Sequence, residues 1–326
     1  MKAFLRIRAC ALAAVALALA SIPLSHAQAA PEKLLISAAV GNAIYWDMFC
    51  AVENGYLKAE GFEPHYVSMT SSTNSTQNLI AGAVNIQGGS PEPAISAITR
   101  GAEIGILAAV SARSSGLLMA RPEIKSLNDL KGKIIGVSAL KGGEMWQLRK
   151  MLGARGLTPK DYEVLQVGIS PLKLAALKRG SIAASVLLQP SASLAEEIGM
   201  HPLLDFWDLE TYPYPVWTVG RAWAHANNHG VRVSRALAKA HAWLNDPANK
   251  AAAIKVLMKT TKRSEKIAAA TYKIMVEQEH FFVPGAKVDT AGMKRLFAAM
   301  RDEGNLTGEP DLKKVLIPAA DGGLSK

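Results

Sequence analysis

The residues with the clearest capacity for chemistry lie in SALKGGEMWQLRKML, Ser138 to Leu152. The apolar run Ile134-Ile135-Gly136-Val137 before it reads as a buried strand, and Met145, Leu148, Met151 and Leu152 after it fall at helical spacing. Lys141, Gly142, Gly143 and Glu144 therefore occupy a strand-to-helix turn, where free backbone N–H groups and the positive end of a helix dipole face outward. A phosphate loop of the form G-x-x-x-x-G-K-[ST] is excluded, because Lys141 precedes the glycines and Glu144 stands where a magnesium-binding hydroxyl belongs. The dinucleotide fingerprint G-x-G-x-x-G is also missing. Two readings remain: a cradle for an anion or polar ligand, and a tight connection whose glycines serve only the backbone.

Similar polar, small-residue turns recur. Gly41-Asn42 follows one predicted strand, Thr70 with Ser71, Ser72, Thr73 and Asn74 another, Gly88-Gly89-Ser90-Pro91 a third, and Gln189-Pro190-Ser191 a fourth. Each alone fits ordinary helix capping. In open α/β sheets, however, ligands bind outside the carboxyl ends of the strands, so five such turns in two facing lobes point to one cleft. Tyr45 and Trp46 open the helix after the first strand, where aromatics serve either as a flat apolar wall for a ligand or as core.

Catalytic signatures do not stand out. There is no G-x-S-x-G elbow, no H-E-x-x-H and no Cys/His set at zinc spacing, so neither a metal nor a cofactor is expected. His225 and His229 are four apart, but Asn227, Asn228 and Gly230 mark a fraying helix end rather than a metal site. Cys50 sits among Met48, Phe49 and Val52 and reads as a buried, inert thiol. His65 falls within a predicted strand, where it is expected to pack.

The chain opens with a basic segment (Lys2, Arg6, Arg8), an apolar run from Ala9 to Ile22 and the A-x-A site Ala27-Gln28-Ala29, the pattern of a secretory signal peptide over 1–29. A periplasmic product is expected. Removing that leader leaves Cys50 as the sole cysteine, so stability must come from a core, for which about 300 residues suffice. The formal charge of +10 drops to about +7 with the leader. A mildly basic exported protein suits small anions or an anionic surface; nucleic acid does not fit, since no basic cluster is interleaved with aromatics.

From Leu34 onward, strands and helices alternate. Strands are predicted at 34–40, 63–69, 84–87 and 103–110, with helices at 43–58, 77–82 and 91–100 between them; strands at 133–137, 163–167 and 182–188 and helices at 144–155 and 172–178 repeat the pattern. Thr158-Pro159 and Ser170-Pro171 read as helix starts. LIAGAVNIQGGSPEP and LKRGSIAASVLLQPS echo one another. The expected fold is α/β: two lobes, each a mostly parallel sheet flanked by helices. Crossing segments at Ser111–Gly116 and Pro213–Trp217 would form a two-strand hinge, dividing the chain into lobe 1 (30–115 and 216–326) and lobe 2 (116–215). The helical tail from Ser234 to Met300 should pack back on lobe 1.

ENGYLKAEGFEP (Glu53–Pro64), LIAGAVNIQGGSPEPAISAITRGAEIGILA (Leu79–Ala108), SLNDLKGKIIGVSALKGGEMWQLRKML (Ser126–Leu152) and LAALKRGSIAASVLLQP (Leu174–Pro190) together resemble the periplasmic solute-binding proteins of ABC importers that serve sulfonates, nitrate, thiamine-precursor pyrimidines and aromatic acids, the NMT1-like and SsuA-like family. The resemblance implies the type II periplasmic binding protein fold. It also implies ligand contacts from Asn42 to Trp46, Ser71 to Asn74, Ser90, Ser138 to Glu144, and Gln189. Arg113 and Trp217, on the crossing segments, complete the expected set. Asn85 and Ala183 or Ala184 stand where the family often has aspartate, and Gln189 where glutamate often precedes the proline. The expectation is a non-enzymatic receptor, monomeric, that captures a sulfonate or aromatic carboxylate and delivers it to an importer permease in the inner membrane. A receptor for a thiamine-precursor pyrimidine, or a related two-lobed enzyme acting on such a compound, is the alternative.

Overall fold

The computed structural model describes residues 30–140, 142–208 and 211–318. The leader assigned to 1–29 and Lys141 lie outside the described residues. Among the described residues, no helix is long and apolar enough to cross a membrane.

The first sheet joins β1 (Glu32–Ala38), β2 (Phe62–Ser68), β3 (Ile86–Gly89), β4 (Ile104–Ala109) and a late strand, β10 (Val216–Gly220), in the order β2-β1-β3-β10-β4. β1 runs parallel to β2 and β3, whereas β10 is antiparallel to both β3 and β4. Between these strands lie α1 (Trp46–Glu53), α2 (Tyr56–Ala59), α3 (Ser72–Ile80) and α4 (Pro91–Ile98). A second sheet has order β7-β6-β8-β5-β9, built from β5 (Leu117–Ala120), β6 (Ile134–Val137), β7 (Glu163–Gln166), β8 (Ala184–Leu187) and β9 (His201–Asp205). Its helices are α5 (Gly143–Gly153), α6 (Ser170–Arg179) and α7 (Ser191–Glu197).

The two sheets follow one plan. In each, three parallel strands are followed by an antiparallel strand that arrives from the other half of the chain, β10 in one and β5 in the other. Each sheet is thus mostly parallel, as expected, with four strands running one way and a single strand, β10 or β5, against them. The sequence echo is real in space, since β3 and β8 hold the same position in the two strand orders. β5 and β9 escaped the sequence reading: one is four residues long after a polar segment, the other opens on His201-Pro202, and proline is tolerated only where its missing N–H is not needed.

Several predicted boundaries move. The helix expected over 43–58 breaks into a short turn at Ala43–Tyr45, α1 and α2, because Gly55 at φ 72° ends the first helix by a left-handed step. The helix placed at 77–82 starts five residues earlier, where the Ser71 hydroxyl accepts from the Asn74 N–H. Thr158-Pro159 starts no helix; Thr158 and Asp161 instead close an exposed turn. Ser170 is the first residue of α6 rather than its cap, and its hydroxyl accepts from the Leu188 N–H at the end of β8.

The tail is α8 (Arg221–His225), α9 (His229–Asn245), α10 (Lys250–Thr261), α11 (Glu265–Tyr272), α12 (Thr290–Asp302) and α13 (Leu312–Val315). Val233, Ala236, Leu237, Ala240 and Leu244 form the apolar stripe of α9 and pack on Trp46 and Phe49 of α1 and on the inner side of the first sheet. Met293, Leu296, Phe297 and Met300 of α12 cover the opposite face with Ile95, Ile106 and Val216. This is why β4 is buried along its whole length: both faces of the sheet are covered.

Two crossing segments join the sheets, and they run side by side. Tyr214 N–H donates to Ser111 O at 2.9 Å, and Val110 N–H to Pro215 O at 2.9 Å.

Candidate functional site

A pocket of about 50 Å³ lies between the carboxyl ends of the strands of the two sheets. From the first sheet it takes Asn42, Ile44 and Tyr45 after β1, Met69 to Thr73 after β2, and Ser90 after β3. From the second it takes Ser138, Ala139 and Gly142 to Met145 after β6, Ile169, Ser170 and Lys173 after β7, and Leu188 after β8. Tyr214 comes from a crossing segment.

Local structure explains these positions. Ser71 caps α3, Ser72 Oγ accepts from the Ser90 N–H at 3.0 Å, and an added Cβ on Gly89 would meet Ser72 Oγ at 2.7 Å, so a glycine is what lets β3 approach α3. Gly142 has φ 116° and ψ −177°, a conformation that residues with a Cβ rarely adopt. It turns the chain so that α5 starts at the pocket. The Asn42 side chain is buried, and its Oδ1 has no hydrogen-bond partner.

The charge in the pocket is an ion pair. Glu144 Oε1 accepts from the Ser138 N–H at 2.9 Å, and Glu144 Oε2 sits 2.6 Å from Lys173 Nζ. Lys173 is only 1% exposed and Glu144 13%. The starts of α3, α5 and α6 also line the pocket, each turning the positive end of its dipole toward it, although in α6 Pro171 has no N–H and the Leu172 N–H donates to Ile169 O. With lysine and glutamate cancelling, these termini leave the site electropositive.

The structure brings together Asn42, Tyr45, Ser71, Ser72, Thr73, Ser90, Ser138, Gly142, Gly143 and Glu144 of the expected set. Five others lie elsewhere. Trp46 is fully buried in the core, edge-on to Tyr272 and Phe282, because it begins the face of α1 that the tail covers. Trp217 stands behind the pocket: its ring packs on Tyr45 at 5.4 Å and its Nε1 donates to Asp47 Oδ2 at 2.8 Å. Asn74 lends its N–H to the Ser71 cap. Arg113 donates to Trp207 O and covers the Trp207 ring, away from the pocket. Gln189 is buried and accepts from Ser193 through Oε1, while its backbone O accepts from the Ala43 N–H at 2.7 Å, a direct bond between the two sides. Lys141 is outside the described residues.

Gly143 lines the pocket and also serves a second contact: an added Cβ would meet Glu92 Oε2 at 2.5 Å, so the missing side chain makes room for a carboxyl from α4. Glu92 is buried, neither of its carboxyl oxygens has a hydrogen-bond partner, and burial pushes its pKa up to about 7.

Lys173 is the residue sequence reasoning missed. Its signal was available, since Lys173 lies one turn before Leu177 on the buried face of α6, where a solvated lysine does not belong. His65 is half exposed beside Glu63, not packed, because β2 is an edge strand. His225 and His229 do not share a helix; Asn227 and Asn228 take positive φ between them, and His229 is tied to Glu32 and Trp223 O. Cys50 is buried, and its thiol is pushed well above its ordinary pKa by that burial. Asn85, in the place of an aspartate, accepts from the Leu35 N–H at 2.8 Å and so serves the strand.

A family model described as NMT1/THI5 like matches residues 43–248, which include nearly all of these pocket residues. The chain belongs to the NMT1/THI5-like family. No curated protein matches it significantly. Among solved structures, the alkanesulfonate-binding protein SsuA from Xanthomonas axonopodis pv. citri, bound to MOPS, superposes with a TM-score of 0.72 at 19% identity over 90% of this chain and 99% of that one. The periplasmic nitrate-binding protein NrtA from Synechocystis PCC 6803 gives a TM-score of 0.71 at 14% identity, covering 88% and 86%. A DSZB mutant in complex with biphenyl-2-sulfinic acid gives 0.64 at 19% identity, covering 88% and 96%. At these identities the likeness establishes the two-lobed fold.

Proposed function

We propose that the protein is the extracytoplasmic receptor of an ABC importer, capturing a small organic anion, a sulfonate or aromatic carboxylate, between its lobes and delivering it to the membrane permease. The observation that carries this reading is the convergence of three helix starts on one pocket in which the buried Lys173 neutralises the Glu144 carboxylate. Oriented N–H groups stabilise an anion without a full counter-charge. Tyr45, Ile44, Met69 and Leu188 supply an apolar wall for its body. SsuA and NrtA, named for alkanesulfonate and nitrate binding, share the fold and lend support.

Lobe 1 comprises 30–115 and 216–326 and lobe 2 comprises 116–215, with the paired crossing segments as the hinge. The protein is a monomer, exported to the periplasm after cleavage of the leader near Ala29. Closure is ligand-driven, because a solute touching Ser71 to Thr73 on one side and Gly142 or Lys173 on the other binds the closed form better.

A pyrimidine receptor is the second reading, favoured by the Glu144 carboxylate in the pocket, but Lys173 already neutralises that group. An enzyme using Cys50 as nucleophile is disfavoured by a thiol that burial keeps protonated.

The test is a thermal-shift screen over alkanesulfonates, aromatic carboxylates and aminopyrimidines, followed by calorimetry. A true ligand at a hundred times its Kd adds about 2.7 kcal/mol. Stabilisation by pyrimidines alone would overturn the anion assignment, and turnover of the bound compound would overturn the receptor.

A further inference from the structure

Glu92 stands at the seam between the lobes, and the anion pocket makes no use of its chemistry. It is the second residue of α4, beside the pocket, and its carboxyl lies against Gly143 at the start of α5 on the opposite lobe. It also borders a groove of about 610 Å³ bounded by α3 and α4 on one side and α5 and the end of α12 on the other. The walls that exclude water from it come from both lobes. Separating the lobes removes Gly142 and Gly143 and lets water reach the carboxyl.

We propose that Glu92 takes up a proton as the lobes close, so that acid favours the closed, solute-holding form of the receptor. The proposal deepens the receptor reading and rests on it for its physiological meaning.

The physical reason is desolvation. An ionised carboxylate with no hydrogen-bond partner is costly to bury, whereas the neutral acid is tolerated. The pKa of about 7 with the carboxyl held against Gly143, against an ordinary 4.5, has burial as its first cause. The Glu92 N–H and the Ser90 hydroxyl lie close enough to oppose that rise, but without hydrogen bonds of good geometry they are outweighed. Glu303 at the end of α12 adds a like charge, and Tyr212 and Tyr214 of the crossing segment are themselves held neutral by burial. α5 carries Glu144, which is engaged by Lys173, together with Arg149 and Lys150; Arg100 follows α4; α13 carries Lys313 and Lys314; α3 presents Thr73, Thr76 and Gln77. None of these donates a hydrogen bond to the Glu92 carboxyl. Lys141, next to Gly142, is outside the described residues.

The sign follows from linkage. The closed form binds the proton more tightly than the open form, so the closed-to-open ratio is highest in acid, drops by at most about tenfold per pH unit between roughly pH 5 and 7, and levels off above.

Ile80 and Leu140 face this groove from opposite lobes and are each 50% exposed, which makes them label sites. Spin labels at I80C and L140C, with the buried Cys50 left in place, report the interlobe distance of the solute-free protein from pH 5 to pH 8. The wild-type background should widen as pH rises, E92Q should remain closed throughout, and G143A, whose Cβ presses on the carboxyl, should stay open throughout. An E92Q profile that follows the wild type, or a wild-type distance that does not change with pH, would overturn the proposal; an unchanged distance in G143A would place the Glu92 contact outside the switch and overturn it equally. No solute enters this measurement, so its failure counts against the proton switch, while failure of the ligand screen counts against the receptor.

Discussion

Lys173 Nζ lies 2.6 Å from Glu144 Oε2, pairing the fourth residue of α6 with the second residue of α5 at the base of the pocket. Both helices begin where a strand of the second sheet ends, so the pair also fixes the two helix starts against each other. The lysine is almost wholly removed from water, and its charge is available to a ligand only through this arrangement.

Replacing Lys173 by methionine leaves the Glu144 carboxylate without its partner, and breaking such a buried pair costs about 3–5 kcal/mol. Urea unfolding should record that loss. The double variant K173M/E144Q should recover most of the stability, while calorimetry shows that anion binding does not return with it.

Gly142 takes a backbone conformation that a Cβ makes costly, so G142A should lose on the order of 1–3 kcal/mol and weaken solute binding by displacing the start of α5. Equal affinity in G142A and the wild type would show that the turn does not shape the pocket.

Trp217 Nε1 donates to Asp47 Oδ2 at 2.8 Å, and His241 Nε2 lies 3.2 Å from the same oxygen, with all three side chains fully buried. W217F removes a donor from a buried carboxylate and should destabilise by about 1–3 kcal/mol. Because the same ring supports Tyr45, solute affinity should fall as well, and a stability loss without any change in Kd would argue that Tyr45 is not a wall of the site.

Burial and the charge of Asp205 push the Glu279 carboxyl up to about 8 from its ordinary 4.5. The folded state therefore prefers the protonated acid, and the stability linked to it is fully present below about 4.5 and lost as pH rises through about 8. E279Q cannot ionise. It should match the wild type near pH 5 and exceed it by on the order of 1–3 kcal/mol near pH 9, read from denaturation midpoints across that range.

At the start of β1, Arg232 and then His229 hold the Glu32 carboxyl below its ordinary 4.5. Its contribution is present above that value and lost as pH falls through the lowered one. The Glu32 side chain is 40% exposed, so solvent screening keeps the effect small. E32Q should lower the neutral plateau slightly and flatten the acid limb, so that the two profiles converge at low pH.

The sequence by itself determined the alternation of strands and helices, the sequence echo between the halves and the small-residue turns at strand ends. These are local matters: side-chain period, proline and glycine at breaks, and hydroxyls at helix starts act within a few residues of themselves. It also named ten of the residues that meet at the pocket, because Ser71, Ser90, Ser138 and Gly142 are turn residues wherever the sheets lie. What only the tertiary structure decided is everything set by pairing distant segments. β5 and β9 are short strands made by their neighbours, and β10 joins the first sheet from across the second. Trp46 and Tyr45 are adjacent, yet the tail buries one in the core and leaves the other at the pocket, since successive positions at a helix start point different ways. Lys173 gains its role from Glu144, 29 residues earlier, and Gly143 from Glu92 on the other lobe. Burial and partner choice depend on which surfaces meet, and that is a property of the packed chain rather than of any stretch of it.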